Sequence, residues 1–268
     1  GVKRVDEVLN EKPLPEPAKS KAPAGYDISF HHVSFSYEAE GRKILNHVSF
    51  AAKQGEITAL VGPSGAGKST IAELIPRFWD VTDGSIEIGG VNIQDMSIHD
   101  LMEQMSFVFQ ESFLFSDTIF NNIALEENIL VPMLLEHTSA AEMRKRLNEN
   151  AELLGIKGIL KKYPYEISGG EKQRTAIARA LINNPQIILA DEPTGNLDTV
   201  SAKIIMEYFA EINYQKKKAV VIVTHDPVVA SYAKKIFFIK DGKIIKQIEN
   251  TSKQQESIYI ISNTMLDL

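Results

Sequence analysis

Polar and apolar residues partly alternate from Ile28 to Phe35, the period-two pattern of a half-buried strand. Val48 to Phe50 and Ile57 to Val61 predict two more strands, the second mostly apolar and ending at a glycine-rich loop. Ser85 to Ile88 and Ser106 to Phe109 read as further strands, and Ile71 to Phe78 as a helical stretch. Between Ser139 and Leu154 the period changes: Met143, Leu147, Leu153 and Leu154 recur at helical spacing behind a Thr138-Ser139 start signal. Only this one good helix is expected between Gln110 and Ser168. Glu171 to Leu181 predicts another helix. Strand Ile187 to Ala190, helix Ser201 to Ile212, strand Ala219 to Val223 and helix Pro227 to Ala233 then follow in turn. Apolar strands alternating with helices predict an α/β fold whose mostly parallel sheet is covered on both faces.

Ahead of Tyr26 the pattern changes. A short amphipathic piece, Val2 to Leu9, precedes Pro13, Pro15, Pro17 and Pro23 among Lys and Glu, so residues 1–25 read as a linker and 26–268 as the folded domain. At 268 residues, 44% hydrophobic and 24% charged, the chain can bury one large core or two closely joined lobes. A net charge of −6 gives no electrostatic case for a nucleic-acid partner. The absence of cysteine excludes disulfides, thiolate zinc sites and cysteine nucleophiles, and fits a reducing compartment. Apolar runs such as Ala219 to Val223 are too short to span a bilayer, and the first residues hold no secretory h-region. Action at a membrane would need other segments.

The candidate chemistry starts at Gly62-Pro63-Ser64-Gly65-Ala66-Gly67-Lys68-Ser69, followed by Thr70. This is G-x-x-x-x-G-K-S/T between an apolar strand and a helical stretch, the context of a Walker A phosphate loop. Glycines let backbone N–H groups turn inward around phosphates, and the following helix adds the positive end of its dipole. Lys68 is then the candidate for the β- and γ-phosphates and Ser69 for Mg²⁺.

Strand Ile187 to Ala190 runs into Asp191 and Glu192. Alone, a buried strand ending in a carboxylate is commonplace; beside the phosphate loop it reads as Walker B. Asp191 would hold Mg²⁺ through water and Glu192 would act as general base on the attacking water. His225, after strand Ala219 to Val223, is a candidate near the γ-phosphate, and Gln110 one that reaches Mg²⁺ and the water. Ser168-Gly169-Gly170-Glu171 opens a helix, offering both an N-cap with a capping-box Glu171 and a second anion site.

Together these residues resemble the ABC ATPase family across nearly the whole folded chain. Walker A, Gln110 as Q-loop, the signature Ile167 to Glu171, Walker B with Glu192, a D-loop Gly195 to Asp198 and His225 as H-loop stand in the family's order. Tyr37, in Phe35-Ser36-Tyr37, matches the aromatic that stacks on adenine, although a plain strand residue remains an alternative. The resemblance implies an α/β P-loop NTPase with a RecA-like core, an antiparallel β subdomain and a helical signature subdomain at about 96–180. It also implies ATP and Mg²⁺ as cofactors and ATP hydrolysis coupled to transport. The partners it implies are a second ATPase domain, identical or not, and transmembrane domains at the cytoplasmic face of a membrane. In that arrangement Ser168, Gly169, Gly170, Glu171 and Asp198 serve the nucleotide of the other subunit.

Two positions depart from the commoner signature: Ile167 for Leu, and Glu171 for Gln. The chain also reads as a hybrid. Up to about Asn122 it resembles exporters with a fused ATPase: Val5 to Leu9, Val33 to Tyr37, Phe109 to Phe115 and Thr118 to Asn122. From about Glu127 it is similar to stand-alone ATPases of lipoprotein-release and macrolide-efflux systems, as in Tyr163 to Ser168 and Glu192 to Asp198. Natural recombinant and constructed chimera both fit. The competing function is a soluble ABC ATPase of DNA repair or translation. Against it stand the lack of a long insertion between Gln110 and Ser168 and the single cassette. A third reading, a regulatory module without turnover, is opposed by the intact Glu192 and His225.

Overall fold

The computed structural model describes residues 13–38, 41–110, 123–251 and 253–268. The amphipathic piece Val2 to Leu9 and the segment 111–122, including Phe113 to Phe120, lie outside the described residues. The first half runs β1 (Ile28–Phe35), β2 (Leu45–Ala52), β3 (Ile57–Val61), α1 (Lys68–Leu74), β4 (Asp83–Ile88), β5 (Val91–Asn92), α2 (Ile98–Glu103), β6 (Met105–Val108) and α3 (Leu125–Leu135). The second half runs α4 (Ala140–Leu153), α5 (Gly169–Leu181), β7 (Ile187–Asp191), α6 (Thr199–Lys216), β8 (Ala219–Thr224), α7 (Pro227–Ala230), β9 (Lys235–Lys240), β10 (Lys243–Glu249) and α8 (Gln254–Leu266).

Two sheets form. One is antiparallel, in the order β2-β1-β4-β5; the other is β10-β9-β3-β8-β7-β6, parallel except for the terminal β10–β9 pair. Successive residues of the central strands feed two separate cores, as period two demands. Ile57, Ala59, Val61, Ile188, Ala190, Val220 and Ile222 pack with residues of α5 and α6 on one face. Leu60, Ile187, Leu189, Val221 and Val223 pack with α1 and the antiparallel sheet on the other. Burial on both faces is why these strands read as continuous apolar runs.

Some boundaries differ from the sequence reading, each for a local reason. The helix expected at Ile71 to Phe78 occupies Lys68–Leu74, and Arg77 beyond it takes φ 60, a left-handed turn that no helix continues through. Pro227–Ala230 stops short of Ala233, and the strand near Ser106 covers Met105–Val108. The expectation of one helix between Gln110 and Ser168 is corrected to two among the described residues. α3 carries Pro132 inside it, which removes a backbone donor and hides the helix from pattern reading. Its start is held by Glu127, whose carboxylate accepts from the Ala124 N–H at 2.7 Å. β9 and β10 went unread although Asp241-Gly242 between them, both at positive φ, is a strong hairpin signal. Residues 13–27 form no regular element, yet they are tied to the body: Arg77 donates to the Pro15 carbonyl at 2.7 Å, and Ser20 Oγ accepts from the Ser97 N–H at 3.0 Å.

Candidate ATP-binding and hydrolysis site

β3, β8, β7 and β6 are neighbours in the parallel sheet, so their carboxyl ends bring four loops to one edge. β3 delivers the phosphate loop, β8 His225, β7 Asp191 and Glu192, and β6 Gln110. Within the loop Gly65 and Gly67 take φ 78 and 97. The backbone conformation at Gly67 demands glycine, and a β-carbon there would also press on Leu45 Cδ2 at 2.7 Å. No side chain caps the start of α1, leaving its first amides to a ligand. Gly62, Pro63 and Ala66 shape the loop: the Pro63 carbonyl accepts from the Ala66 N–H at 3.2 Å and from Lys68 Nζ at 3.0 Å.

Lys68 is buried, and burial pushes its ammonium pKa down while Glu192 and Asp191 hold it up. Asp191 moves the other way: burial raises its carboxyl pKa and the Glu192 charge adds to that, against a hydrogen bond from Ser69. That bond, Ser69 Oγ donating to Asp191 Oδ1 at 3.2 Å, puts the two Mg²⁺ candidates side by side. Among the described residues no cluster of three or more His, Asp or Glu could hold a metal ion. A hydroxyl plus a carboxylate suits Mg²⁺, which takes one or two protein oxygens and fills its octahedron with phosphates and water. Small glycine-lined space, a buried cation and hard oxygen donors therefore fit a magnesium-bound triphosphate.

Glu192 sits at φ 45, uncommon for a residue with a side chain and a backbone cost of about 1–3 kcal/mol. Several contacts hold it there. Its N–H donates to the Val223 carbonyl at 2.9 Å, Thr224 Oγ1 donates to Oε2 at 3.2 Å, and His225 Nδ1 lies 2.7 Å from Oε1. Its side chain is 13% exposed against 65% for His225, so the carboxylate is confined while the imidazole faces outward.

Tyr37 follows β1 at the mouth of the loop. Its hydroxyl lies 3.2 Å from Thr70 Oγ1 and donates to Glu73 Oε2 at 3.1 Å. The rings of Phe35 and Trp79 meet it edge-on at 4.9 and 5.3 Å, and 46% of the residue stays exposed. Tyr37 lies two residues beyond the end of β1. One cavity of about 370 Å³ is lined by Tyr37, Ser64, Gly65, Gly67, Lys68, Ser69, Thr70, Gln110, Glu192 and His225. Ile44 lines it too and was not read from the sequence; nor were Trp79, Glu73 and Thr224, which carry no motif of their own.

Ser168, Gly169, Gly170, Glu171 and Asp198 do not line this cavity. Ser168 caps α5 instead: the Glu171 N–H donates to its Oγ at 3.3 Å, and its own N–H and Oγ each donate to Glu171 Oε2 at 2.8 Å. Those bonds hold the Glu171 carboxyl below the usual range. Asp198 caps α6, accepting from the Val200 and Ser201 N–H groups at 3.0 Å. Buried Gln173, also unread from sequence, donates to the carbonyls of Phe109 and Pro193, both at 3.2 Å, and ties the Gln110 loop to the loop after Glu192.

The profile of the family described as ABC transporter matches residues 45–195. An uncharacterised ABC transporter ATP-binding protein of Bacillus subtilis, YvcR, is 39% identical over 236 residues, covering 87% of this chain and 87% of its own. An ATP-dependent lipid A-core flippase of Haemophilus ducreyi is 39% identical over 222 residues, 82% of this chain but 38% of its own length. A dimeric ATP-binding cassette solved in a post-hydrolysis state with ADP and phosphate superposes with a TM-score of 0.73. It is 32% identical and covers 84% of this chain and 100% of its own. Both stand-alone and fused kinds thus occur among the relatives, and none of these three is a repair or translation protein. The match over more than half the chain, with the fold and the cavity, makes this chain a member of the ABC transporter family, an ATP-binding and ATP-hydrolysing domain with a P-loop NTPase core.

Proposed function

We propose that two such domains close head to tail on two ATP molecules at the cytoplasmic face of a membrane, and that closing and opening drives attached membrane domains. The observation that carries this reading is the separation just described: Ser168 to Gly170 stand away from the cavity that gathers Lys68, Gln110, Glu192 and His225. Half of each phosphate site is then supplied by the partner. The dimeric state of the nucleotide-bound relative supports pairing of two such domains. In each site Lys68 holds the β- and γ-phosphates and Tyr37 stacks on the base. Glu192, steadied by Thr224 and His225, takes the proton from the attacking water. Ser69, Asp191 and Gln110 would hold Mg²⁺, which supplies charge neutralisation between the phosphates. Light scattering behind a sizing column tests the dimer: the Glu192→Gln chain should run as a monomer without nucleotide and as a dimer with saturating ATP. Monomer mass under both conditions would sink the proposal.

The membrane-facing surface follows from the same reading. Among the described residues no helix is long and apolar enough to cross a membrane. A groove of about 660 Å³ runs between the end of α2 with the β6 edge on one side and α3 and α5 on the other, with Phe109 and Leu135 exposed in its walls. We assign it to the membrane domain. One wall precedes residue 122 and resembles fused exporters; the other, from Val131 to Pro185, follows residue 127 and resembles stand-alone ATPases. Apolar packing tolerates such exchange, but docking needs matched surfaces on both partners. Grafted onto an exporter's membrane helices, residues 1–268 should hydrolyse ATP with little substrate stimulation and little transport. Full stimulation and transport in reconstituted vesicles would remove the hybrid reading's main consequence.

A further inference from the structure

The two signature glycines have different surroundings. A β-carbon built on Gly169 meets nothing within 4 Å. One built on Gly170 would lie 2.5 Å from Ser201 Oγ, 3.1 Å from Ser201 Cβ and 3.6 Å from Arg174 Nη1. Both glycines lie inside α5 and neither takes a positive φ, so backbone conformation does not require glycine at either. In a helix alanine is the better residue. The penalty for a side chain at 170 inside this chain is therefore contact with Ser201.

Ser201 is buried and stands in the first turn of α6. Its Oγ accepts from Arg174 Nη1 of α5 at 2.9 Å, and its N–H donates to Asp198 Oδ1 at 3.0 Å. The serine thus touches the signature helix through two residues and the D-loop carboxylate through a third. We propose that Gly170 is glycine so that the signature helix can seat on Ser201, and that Ser201 is a positioning residue joining the signature and the D-loop into one unit within a subunit. At Gly169 a side chain would meet no atom of its own chain, so a loss of activity there would arise outside the subunit. The inference rests on the sandwich reading and adds to it. Each site of the dimer would receive its partner's signature and D-loop as one pre-set piece, since a shift of α5 moves Asp198 through Ser201.

The test is a rescue series in the full chain. Gly170→Ala should lower ATPase activity about tenfold and lower the melting temperature, as an inserted methyl group does in a packed contact. Adding Ser201→Gly removes both clashing atoms and should bring activity back to within about threefold of Ser201→Gly alone, the mark of two positions that act through each other. Adding Ser201→Ala instead leaves the 3.1 Å contact and should restore only part. Gly169→Ala should lose activity and gain nothing from Ser201→Gly. Failure of Ser201→Gly to restore Gly170→Ala, or equal restoration of Gly169→Ala, would overturn the inference. Melting temperatures read the Gly170–Ser201 contact without a dimer. A wild-type chain that never dimerises with ATP would thus count against the sandwich, while the thermal series still decides the contact.

Discussion

Glu192→Gln is expected to lower steady-state ATP hydrolysis about 10²-fold or more, the usual size of a general-base contribution, while ATP still binds. The carboxylate is held by Thr224 and His225 at a strained φ, and both contacts accept a glutamine of the same shape. What is lost is the carboxylate proposed as base beside the Lys68 cavity. The substitution also removes one of the charges that raise the Asp191 carboxyl pKa. Asp191 then ionises more readily, which strengthens its oxygen as a ligand for Mg²⁺. Lys68 loses one of its two supporting carboxylates, but Asp191 remains. The expected phenotype is consequently a split: chemistry fails while the ATP-loaded state accumulates. Phosphate release and nucleotide titration on the same preparation measure the two halves. Turnover within a few-fold of wild type would remove Glu192 from the role of base.

Much of this site was legible because its chemistry forces local sequence. A backbone cradle for phosphate needs glycines at φ values that other residues avoid, so Gly65 and Gly67 announce the loop. Strands buried on both faces must be apolar throughout, which marks β3, β7 and β8, and the polar residues that end them stand out as Asp191, Glu192 and His225. The rest depends on distance relations that no linear pattern carries. Nothing near Gln173 in the chain predicts that it spans Phe109 and Pro193. Nothing near Trp79 predicts that its ring meets Tyr37. The helix α3 escaped because Pro132 contradicts the pattern that its buried face, Leu125, Ile129 and Met133, otherwise obeys. Gly170 looked like half of a glycine pair, and only the approach of α6 separates its role from that of Gly169.

Lys68→Met should weaken ATP binding by about 10²-fold, since each hydrogen bond from an ammonium to a phosphate oxygen is worth roughly 1.5–3 kcal/mol and about 1.4 kcal/mol is a factor of ten. The effect extends beyond the missing charge. Lys68 is one of the groups that lower the Asp191 carboxyl pKa, so its removal leaves burial and Glu192 to raise it further. A more protonated Asp191 would be a poorer ligand for Mg²⁺, so on the proposed role the losses of cation and carboxylate compound each other. Stability should move in the opposite direction. Lys68 is buried, and the one hydrogen bond of its ammonium among the described residues is to the Pro63 carbonyl. A methionine fills similar space with no charge to desolvate. The melting temperature without nucleotide is expected to stay level or rise, whereas the upward shift that ATP gives the wild type, which follows from binding to the folded state alone, should vanish. Calorimetric titration and paired thermal melts measure the two directions separately. A Lys68→Met chain that binds ATP within a few-fold of wild type would show that the glycine cradle and helix start suffice, and would remove Lys68 from the phosphate site.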